Sequence, residues 1–164
     1  ILPVIKHFPG IGGVNFDLHY NFANAELSEA DLQVFRKILD TEGQLGVMAT
    51  HVGIVGSYED QPCSLNQACL SDLTEYFYGV LTVADALNME AAGYGGLSLA
   101  ERAVQAVRAG NNLLTFGEKV KTTEIEAILA ALEAEYEADP EFAQQVQASV
   151  KTIWQYQDQF GNEF

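Results

Sequence analysis

The stretch Lys6-His7-Phe8-Pro9-Gly10-Ile11-Gly12-Gly13-Val14-Asn15-Phe16-Asp17-Leu18-His19 decides the fold and carries much of the candidate chemistry. It follows an apolar run, residues 1–5, that is long enough for one buried strand. Pro9 and the glycines after it keep the next residues out of regular structure. Two of the three histidines and Asp17 therefore stand in or just before a loop at the end of a strand. Burying titratable groups only for structure costs free energy, so we predict a functional site here.

The same alternation of an apolar run and an amphipathic helix continues along the chain. Further strands are predicted at residues 45–49, 80–84 and 113–116, and residues 53–62 are predicted to form a loop. Helices are predicted from Ser28 to Gly43, from Ser64 or Asn66 to Phe77, from about Ser98 to Arg108, from Thr123 to Tyr136 and from Pro140 to about Phe160. Four strands that are apolar on both faces and separated by helices indicate an α/β fold with a parallel sheet.

Chemically capable side chains follow the first three predicted strands. They are Lys6 and His7, then His51, then Asp85. In a parallel (β/α) barrel the active site is built at this face, from the loops that follow the strands. A full TIM barrel needs eight strands in about 250 residues, and this chain supplies four in 164 residues. The sequence therefore predicts one domain, residues 1–164, that covers about the last four β/α units of a barrel.

The charge balance excludes some classes of partner. The chain has 8 basic and 23 acidic residues, a net charge of −15, which would repel nucleic acid and anionic membranes. Its longest uncharged stretch, residues 44–58, is too short to span a bilayer. The chain begins inside an apparent strand, so we expect a processed or truncated product, and its localisation stays open.

The two cysteines leave two alternatives. Cys63 and Cys69 are six positions apart, so they either close a small disulfide loop in an oxidising compartment or remain two thiols. Neither has the histidine or cysteine neighbours of a zinc site, and we expect no metal or cofactor.

Ordinary structural interpretations compete at each candidate residue. A lone Asp85 closing an apolar strand is more simply the N-cap of a helix over residues 86–89. The pair Asp17 and His19 allows a carboxylate to fix an imidazole tautomer and raise the basicity of the other nitrogen, but His19 fits an exposed loop histidine equally well.

Two further alternatives concern the first strand and its loop. Lys6 and His7 fit an ion pair with a neighbouring acid. The glycines fit a phosphate cradle poorly, because no helix follows them directly and no Walker lysine is present.

The combination of motifs is more specific than any one of them. Lys6-His7-Phe8-Pro9-Gly10 followed by Asp17-Leu18-His19 resembles glycoside hydrolase family 3, in particular its β-N-acetylglucosaminidase branch. The resemblance continues in chain order through Met48-Ala49-Thr50-His51-Val52, Pro62-Cys63-Ser64-Leu65-Asn66, Ala84-Asp85-Ala86-Leu87-Asn88-Met89, Ala109-Gly110-Asn111-Asn112-Leu113-Leu114 and Ser149-Val150-Lys151-Thr152-Ile153. It covers nearly the whole chain.

The resemblance implies a role for each motif. Asp85 stands where the family has its nucleophile, and Asp17 with His19 where this branch has its acid/base dyad. Lys6 and His7 match positions that bind sugar hydroxyls. The implied reaction is retaining hydrolysis of a terminal β-linked N-acetylglucosamine through a glycosyl-enzyme intermediate.

The resemblance also implies two more site residues and a missing part of the barrel. His51 and Met89 complete the expected substrate-binding set, with a carbohydrate as substrate. The first four strands of the family's barrel are absent, so we expect a second chain or an upstream segment to complete it.

Some positions depart from the family pattern. Ile11 replaces a histidine, Leu18 a serine, Ala84 a Ser/Thr and Asn112 an aspartate. These losses keep two alternatives open: a non-catalytic structural or sugar-binding subunit, and a β-glucosidase.

Overall fold

Four parallel strands form the centre of the computed structural model, which describes residues 1–42, 45–76 and 79–161. They are β1 (Val4–Phe8), β3 (Gly46–Ala49), β5 (Leu81–Ala84) and β6 (Leu113–Leu114). They lie side by side in the order β1-β3-β5-β6, every pair parallel. The prediction of a parallel α/β sheet is confirmed. Within the described ranges the sheet is open, with β1 and β6 at its edges.

Five helices connect and cover these strands in the described part of the chain. They are α1 (Glu29–Glu42), α2 (Gln67–Tyr76), α3 (Leu99–Ala109), α4 (Thr122–Ala138) and α5 (Pro140–Gly161). Ser28 precedes α1, where its N–H and hydroxyl both donate to the Asp31 carboxylate. Ser98 and Glu101 form a capping box at the start of α3, and Gly110 ends that helix with a φ of 108°.

Apolar side chains from the strands pack against the helices in two buried clusters. One joins Phe8 and Val47 to Leu39 of α1 and Leu70 of α2. The other joins Ala84 to α3 and to Ile128 of α4. Full burial of a side chain such as Val47, which has no exposed surface, contributes about 1.5–3 kcal/mol. These clusters fix the sheet and so fix where its strands end.

The structure corrects the predicted boundaries near the site. β1 ends at Phe8, three residues later than expected, so Lys6 and His7 lie within the strand. Two short strands that the sequence did not predict, β2 (Ala23–Ala25) and β4 (Val52–Ile54), pair in a separate parallel ladder. The predicted loop over residues 53–62 was therefore wrong at its start.

The second predicted helix is also resolved in detail. Asn66 caps α2 by accepting from the Cys69 N–H at 3.1 Å, whereas Ser64 lies in a 3₁₀ turn, Cys63–Leu65. Cys63 and Cys69 form a disulfide across this cap, with their Cα atoms 5.4 Å apart. The expected helix ends at Gly43 and Phe77 lie outside the described residues. No described helix has the length and apolar character that a bilayer span requires.

Candidate active site

The carboxyl ends of β1, β3 and β5 open into one cleft of about 430 Å³. Lys6 and His7 come from β1, Thr50 from the end of β3, and Asp85 from the end of β5. The remaining walls come from the loop after β1 and from the segment after β5. These lining residues are Ile11, Val14, Phe16, Asp17, Leu18, His19 and Met89. Six of the seven predicted site residues thus line the same cleft; His51 does not.

Asp85 is held at the end of β5. Its N–H donates to the Ala49 carbonyl at 2.9 Å, which continues the pairing of β5 with β3. One carboxylate oxygen accepts from the Ala86 N–H at 2.8 Å, and the other lies 3.7 Å from Nε2 of His7. No helix begins at Ala86, since the next helical turn is a 3₁₀ turn over Glu90–Gly93. The helix-cap interpretation of Asp85 is therefore wrong.

Lys6 and His7 both reach the cleft although they are consecutive residues of a strand. Side chains of consecutive strand residues normally point to opposite faces. The ladder between β1 and β3 shifts register between Lys6 and Phe8, and such irregularities re-aim side chains next to sites. Burial lowers the pKa of His7, the Asp85 charge opposes this, and Lys6 adds to the lowering. His7 is therefore a neutral hydrogen-bonding group near pH 7 and not the cation of an ion pair.

Asp17 and His19 are hydrogen-bonded to each other on the loop after β1. Oδ1 of Asp17 accepts from the His19 backbone N–H at 2.9 Å and from Nδ1 of its ring at 2.8 Å. These hydrogen bonds lower the pKa of Asp17, so the carboxylate is ionised and can only accept. Nδ1 of His19 therefore carries a proton, and Nε2 is the nitrogen left to exchange one. The pair is exposed, with 58% of the Asp17 and 71% of the His19 side chain accessible.

The backbone of this loop rests on the segment that follows Asp85. The carbonyls of Leu18 and His19 accept from the N–H groups of Ala91 and Glu90 at 3.3 and 3.2 Å. Leu18 packs in a buried cluster with Met89 and Ala91. The apolar Leu18, where the family commonly has serine, thus anchors the dyad loop to the floor of the cleft.

His51 lies beneath the cleft and has no exposed surface. Its Nδ1 is 2.6 Å from the Ser64 hydroxyl, and its Nε2 is 3.1 Å from the Ala86 carbonyl. Both ring nitrogens are therefore occupied by protein groups. The expected contact between His51 and a sugar stays a prediction, and in this structure no surface of His51 is open to one.

Three residues of the site were missed by the sequence analysis. Ser64 was predicted only as a helix cap. Arg102 of α3 donates to the carbonyls of Leu87 and Met89 at 2.9 and 3.1 Å, and burial lowers its pKa. Thr50 is 1% exposed, and its hydroxyl has no hydrogen-bond partner among the described residues. The sequence offered no local signal for Arg102, because α3 carries two arginines, Arg102 and Arg108, and nothing in the pattern tells them apart.

Metal binding has no support in the described part of the chain. No group of three or more His, Cys, Asp or Glu side chains there is placed to hold an ion.

The class of protein that this fold and site define is a β/α protein with its acidic site at the carboxyl ends of the strands. Residues 1–153 match the N terminal domain of glycosyl hydrolase family 3, a domain of the TIM-barrel type, and the chain belongs to this family.

Relatives agree with this assignment. A β-hexosaminidase of Nitrosomonas eutropha is 34% identical over 122 residues, covering 70% of this chain and 34% of the relative. The structure of CbsA from Thermotoga neapolitana superposes with a TM-score of 0.85 at 25% identity, covering 100% of this chain and 38% of that one. A β-N-acetylhexosaminidase from Beutenbergia cavernae gives 0.82 at 26% identity, covering 94% and 46%. The chain thus spans about a third of the length of the curated relatives it matches.

Proposed function

We propose that this protein is a retaining glycoside hydrolase that removes terminal β-linked N-acetylglucosamine or a related hexosamine. The observation that carries the proposal is the shared cleft, which holds the Asp85 carboxylate at the end of β5 and the Asp17–His19 pair on the neighbouring loop. The similar proteins named β-hexosaminidase and β-N-acetylhexosaminidase supply the sugar class.

In the first step Asp85 attacks the anomeric carbon of the bound sugar. A bond forms between its carboxylate oxygen and that carbon while the bond to the leaving oxygen breaks. His19 in its protonated form donates the Nε2 proton to the leaving oxygen, so the aglycone departs as an alcohol. Asp17 holds the imidazole by Nδ1 and stabilises its cationic form.

In the second step a water molecule takes the place of the aglycone. His19, now neutral, removes a proton from that water. The oxygen of the water attacks the anomeric carbon, and the bond from that carbon to the Asp85 carboxylate breaks. A neutral imidazole suits this step because its unprotonated nitrogen can accept the proton of the water. The anomeric configuration is retained after the two displacements.

Binding is assigned to residues at the edge of the same cleft. Lys6 and the neutral His7 donate to sugar hydroxyls, and Nε2 of His7 lies 3.7 Å from the Asp85 carboxylate, on the same side of the cleft. Met89 is 8% exposed and lines the cleft while packing against Leu18, so it offers an apolar contact to the sugar.

We further propose that this chain supplies the C-terminal half of the family's barrel domain. The free edges of β1 and β6 and the 34% coverage of the relatives support this. So does an apolar groove of about 570 Å³ beside β6, lined by Leu114, Leu129 and Ile153 among others. An upstream segment or a second chain would pair with these edges and close the pocket.

The test compares the complete protein, including whatever segment closes the barrel, with its Asp85→Asn variant on an aryl N-acetyl-β-glucosaminide. We expect hydrolysis by the parent and a loss of about 10⁴-fold or more in the variant, as for other removed nucleophiles. A fluorinated N-acetylglucosaminyl donor that keeps its 2-acetamido group should label the parent on the peptide that contains Asp85. Equal hydrolysis by both proteins rejects Asp85 as nucleophile.

The same assay separates the alternatives. Sugar binding without turnover or labelling would identify a non-catalytic subunit. A preference for glucosides that lack the N-acetyl group would identify a β-glucosidase.

A further inference from the structure

The residue after the candidate nucleophile is fixed from both sides. The N–H of Ala86 donates to the Asp85 carboxylate at 2.8 Å, and its carbonyl accepts from Nε2 of His51 at 3.1 Å. The next amide, that of Leu87, donates to the Thr115 carbonyl at 3.0 Å. The peptide unit between Ala86 and Leu87 is thus held at both its carbonyl and its N–H, directly beside the Ala86 N–H that donates to Asp85.

The hydrogen-bond partners determine the tautomer of His51. A backbone carbonyl can only accept, so Nε2 carries the proton that goes to Ala86. Nδ1 then accepts from the Ser64 hydroxyl at 2.6 Å. If Ser64 were absent, Nδ1 would be a buried acceptor without a partner, which costs about 1–3 kcal/mol and favours another ring orientation.

Ser64 is itself held by hydrogen bonds of its backbone. Its backbone N–H donates to the Thr50 carbonyl at 3.0 Å, and its carbonyl accepts from Nδ2 of the buried Asn111 at 2.7 Å. The disulfide between Cys63 and Cys69 closes the turn that carries Ser64. The chain of contacts from Ser64 to Asp85 therefore rests on rigid, buried structure.

We infer that His51, oriented by Ser64, is a positioning residue that sets the attack direction of the Asp85 carboxylate through the backbone of Ala86. This inference rests on the proposed nucleophilic role of Asp85 and deepens it. It assigns His51 no direct contact with the sugar, because the ring is fully buried and does not line the cleft.

The charge state of His51 agrees with this role. Burial lowers the pKa of His51, the Asp85 charge raises it and Arg102 lowers it, with burial the largest cause. A neutral ring can hold the Ala86 carbonyl without placing a positive charge beneath the nucleophile, where it would weaken the attacking carboxylate.

The test uses three variants of the complete protein and one matched control. His51→Leu removes the donor to Ala86. His51→Gln keeps an N–H at the Nε2 position. Ser64→Ala removes the hydroxyl that selects the tautomer. Thr82→Val is the control. Thr82 is as buried as His51 and Ser64, and its hydroxyl donates to the Gly110 carbonyl at 2.8 Å. It lies on β5, the strand that leads to Asp85, but it does not line the cleft.

We expect the effect in kcat and not in KM. His51→Leu should lower kcat for an aryl N-acetyl-β-glucosaminide by about 100-fold with KM changed less than about threefold, because a small misplacement of a reacting group has this cost. Ser64→Ala should lose about tenfold and His51→Gln should recover most of the loss. The control should lose stability while keeping kcat. A control that loses as much kcat as His51→Leu, or a His51→Leu variant with normal kcat, would overturn the inference.

A second measurement needs no substrate. Amide hydrogen exchange at Ala86, followed by NMR, should be about tenfold faster in His51→Leu than in Thr82→Val at matched global stability. If the parent protein hydrolyses nothing, the proposed function fails while this measurement still decides whether His51 fixes Ala86. Equal exchange in the two variants rejects the positioning role whatever the activity.

Discussion

The two sides of the cleft are built in opposite ways. On the side of Asp85, residues 86–89 are held by the buried His51, on the Ala86 carbonyl, and by the half-buried Arg102, on the carbonyls of Leu87 and Met89. On the side of His19, the side chains of Asp17 and His19 are exposed and bonded to each other, and the loop is attached through its backbone and the buried Leu18. A nucleophile needs one fixed direction of attack. A proton carrier must serve a leaving group in one step and a water in the next, so it has to remain accessible.

The largest expected effect that distinguishes the two sides comes from His19→Ala. Loss of a general acid and base typically costs about 10²–10⁴-fold. For His19→Ala this cost should be greatest with alkyl or sugar aglycones and small for the first step with nitrophenyl aglycones, which leave without protonation. Loss of Asp85 should instead affect every aglycone alike. The measurement is the dependence of kcat/KM on leaving-group acidity, and parallel plots for the parent and His19→Ala would show that His19 is not the proton donor.

Arg102→Leu should have the next largest effect, on stability. Removing the guanidinium leaves the carbonyls of Leu87 and Met89 without its hydrogen bonds, at a cost of about 2–4 kcal/mol in the free energy of unfolding. Arg102→Lys should rescue little, because an ammonium cannot reproduce the planar fork. Denaturant unfolding of the complete protein measures this.

Arg36→Leu is the comparison for that measurement. Arg36 is also half-buried, but its ion pair is with the exposed Glu29 near the start of α1, and a pair with an exposed partner contributes about 0–1 kcal/mol. If Arg102→Leu and Arg36→Leu lower the free energy of unfolding equally, the hydrogen bonds of Arg102 to the carbonyls of Leu87 and Met89 stabilise the protein no more than this ion pair does.

The sequence predicted one side of the cleft better than the other. The motif from Lys6 to His19 predicted a shared site, and the side chains of Lys6, His7, Asp17 and His19 do line one cleft, while their roles stay a prediction. The contacts of His51 reach 13 residues to Ser64 and 35 to Ala86, and those of Arg102 reach back 13 and 15 residues. No local pattern encodes such contacts, so His51 was expected at the sugar and Ser64 at a helix cap.

The fold shows the same limit. The four central strands and the capped helices were predictable from apolar runs and from capping residues such as Ser28 and Ser98. The strands β2 and β4 have three residues each, which is too short for a periodic pattern, and they exist because they pair with each other. The spacing of Cys63 and Cys69 left their pairing undecided, and the cap of α2 brings them together.

The pH dependence of stability should report on the buried side. Burial lowers the pKa of His51 and of His7 below the ordinary value of 6.5. As the pH falls through 6.5, His51 and His7 bind protons in the unfolded chain but not yet in the folded protein. The free energy of unfolding therefore decreases. Asp17 has the same sign at lower pH, since its lowered pKa contributes stability above 3.8, and that contribution is lost as the pH falls below this value.

The measurement for this prediction is the Tm of the complete protein between pH 8 and 5. The Tm should fall with pH in the parent and should fall less in His51→Gln. His7→Gln should flatten the curve less than His51→Gln does, because His7 is partly exposed and its protonated form is therefore less disfavoured by burial. Identical slopes in the parent and in His51→Gln would contradict the assignment of a neutral, buried His51.

The smallest expected effect concerns Thr50, which lies between the two sides at the end of β3. Its hydroxyl is buried without a partner among the described residues, so the folded protein gains nothing from it. Replacing an unpaired hydroxyl by a methyl group of similar shape is close to neutral, and Thr50→Val should change the free energy of unfolding by less than about 0.5 kcal/mol. Thr82→Val, which removes a hydroxyl that is hydrogen-bonded, should cost about 1–2 kcal/mol. If Thr50→Val destabilises the complete protein as much as Thr82→Val, the segment that closes the barrel supplies a partner for this hydroxyl, and the floor of the cleft is shared between the two halves.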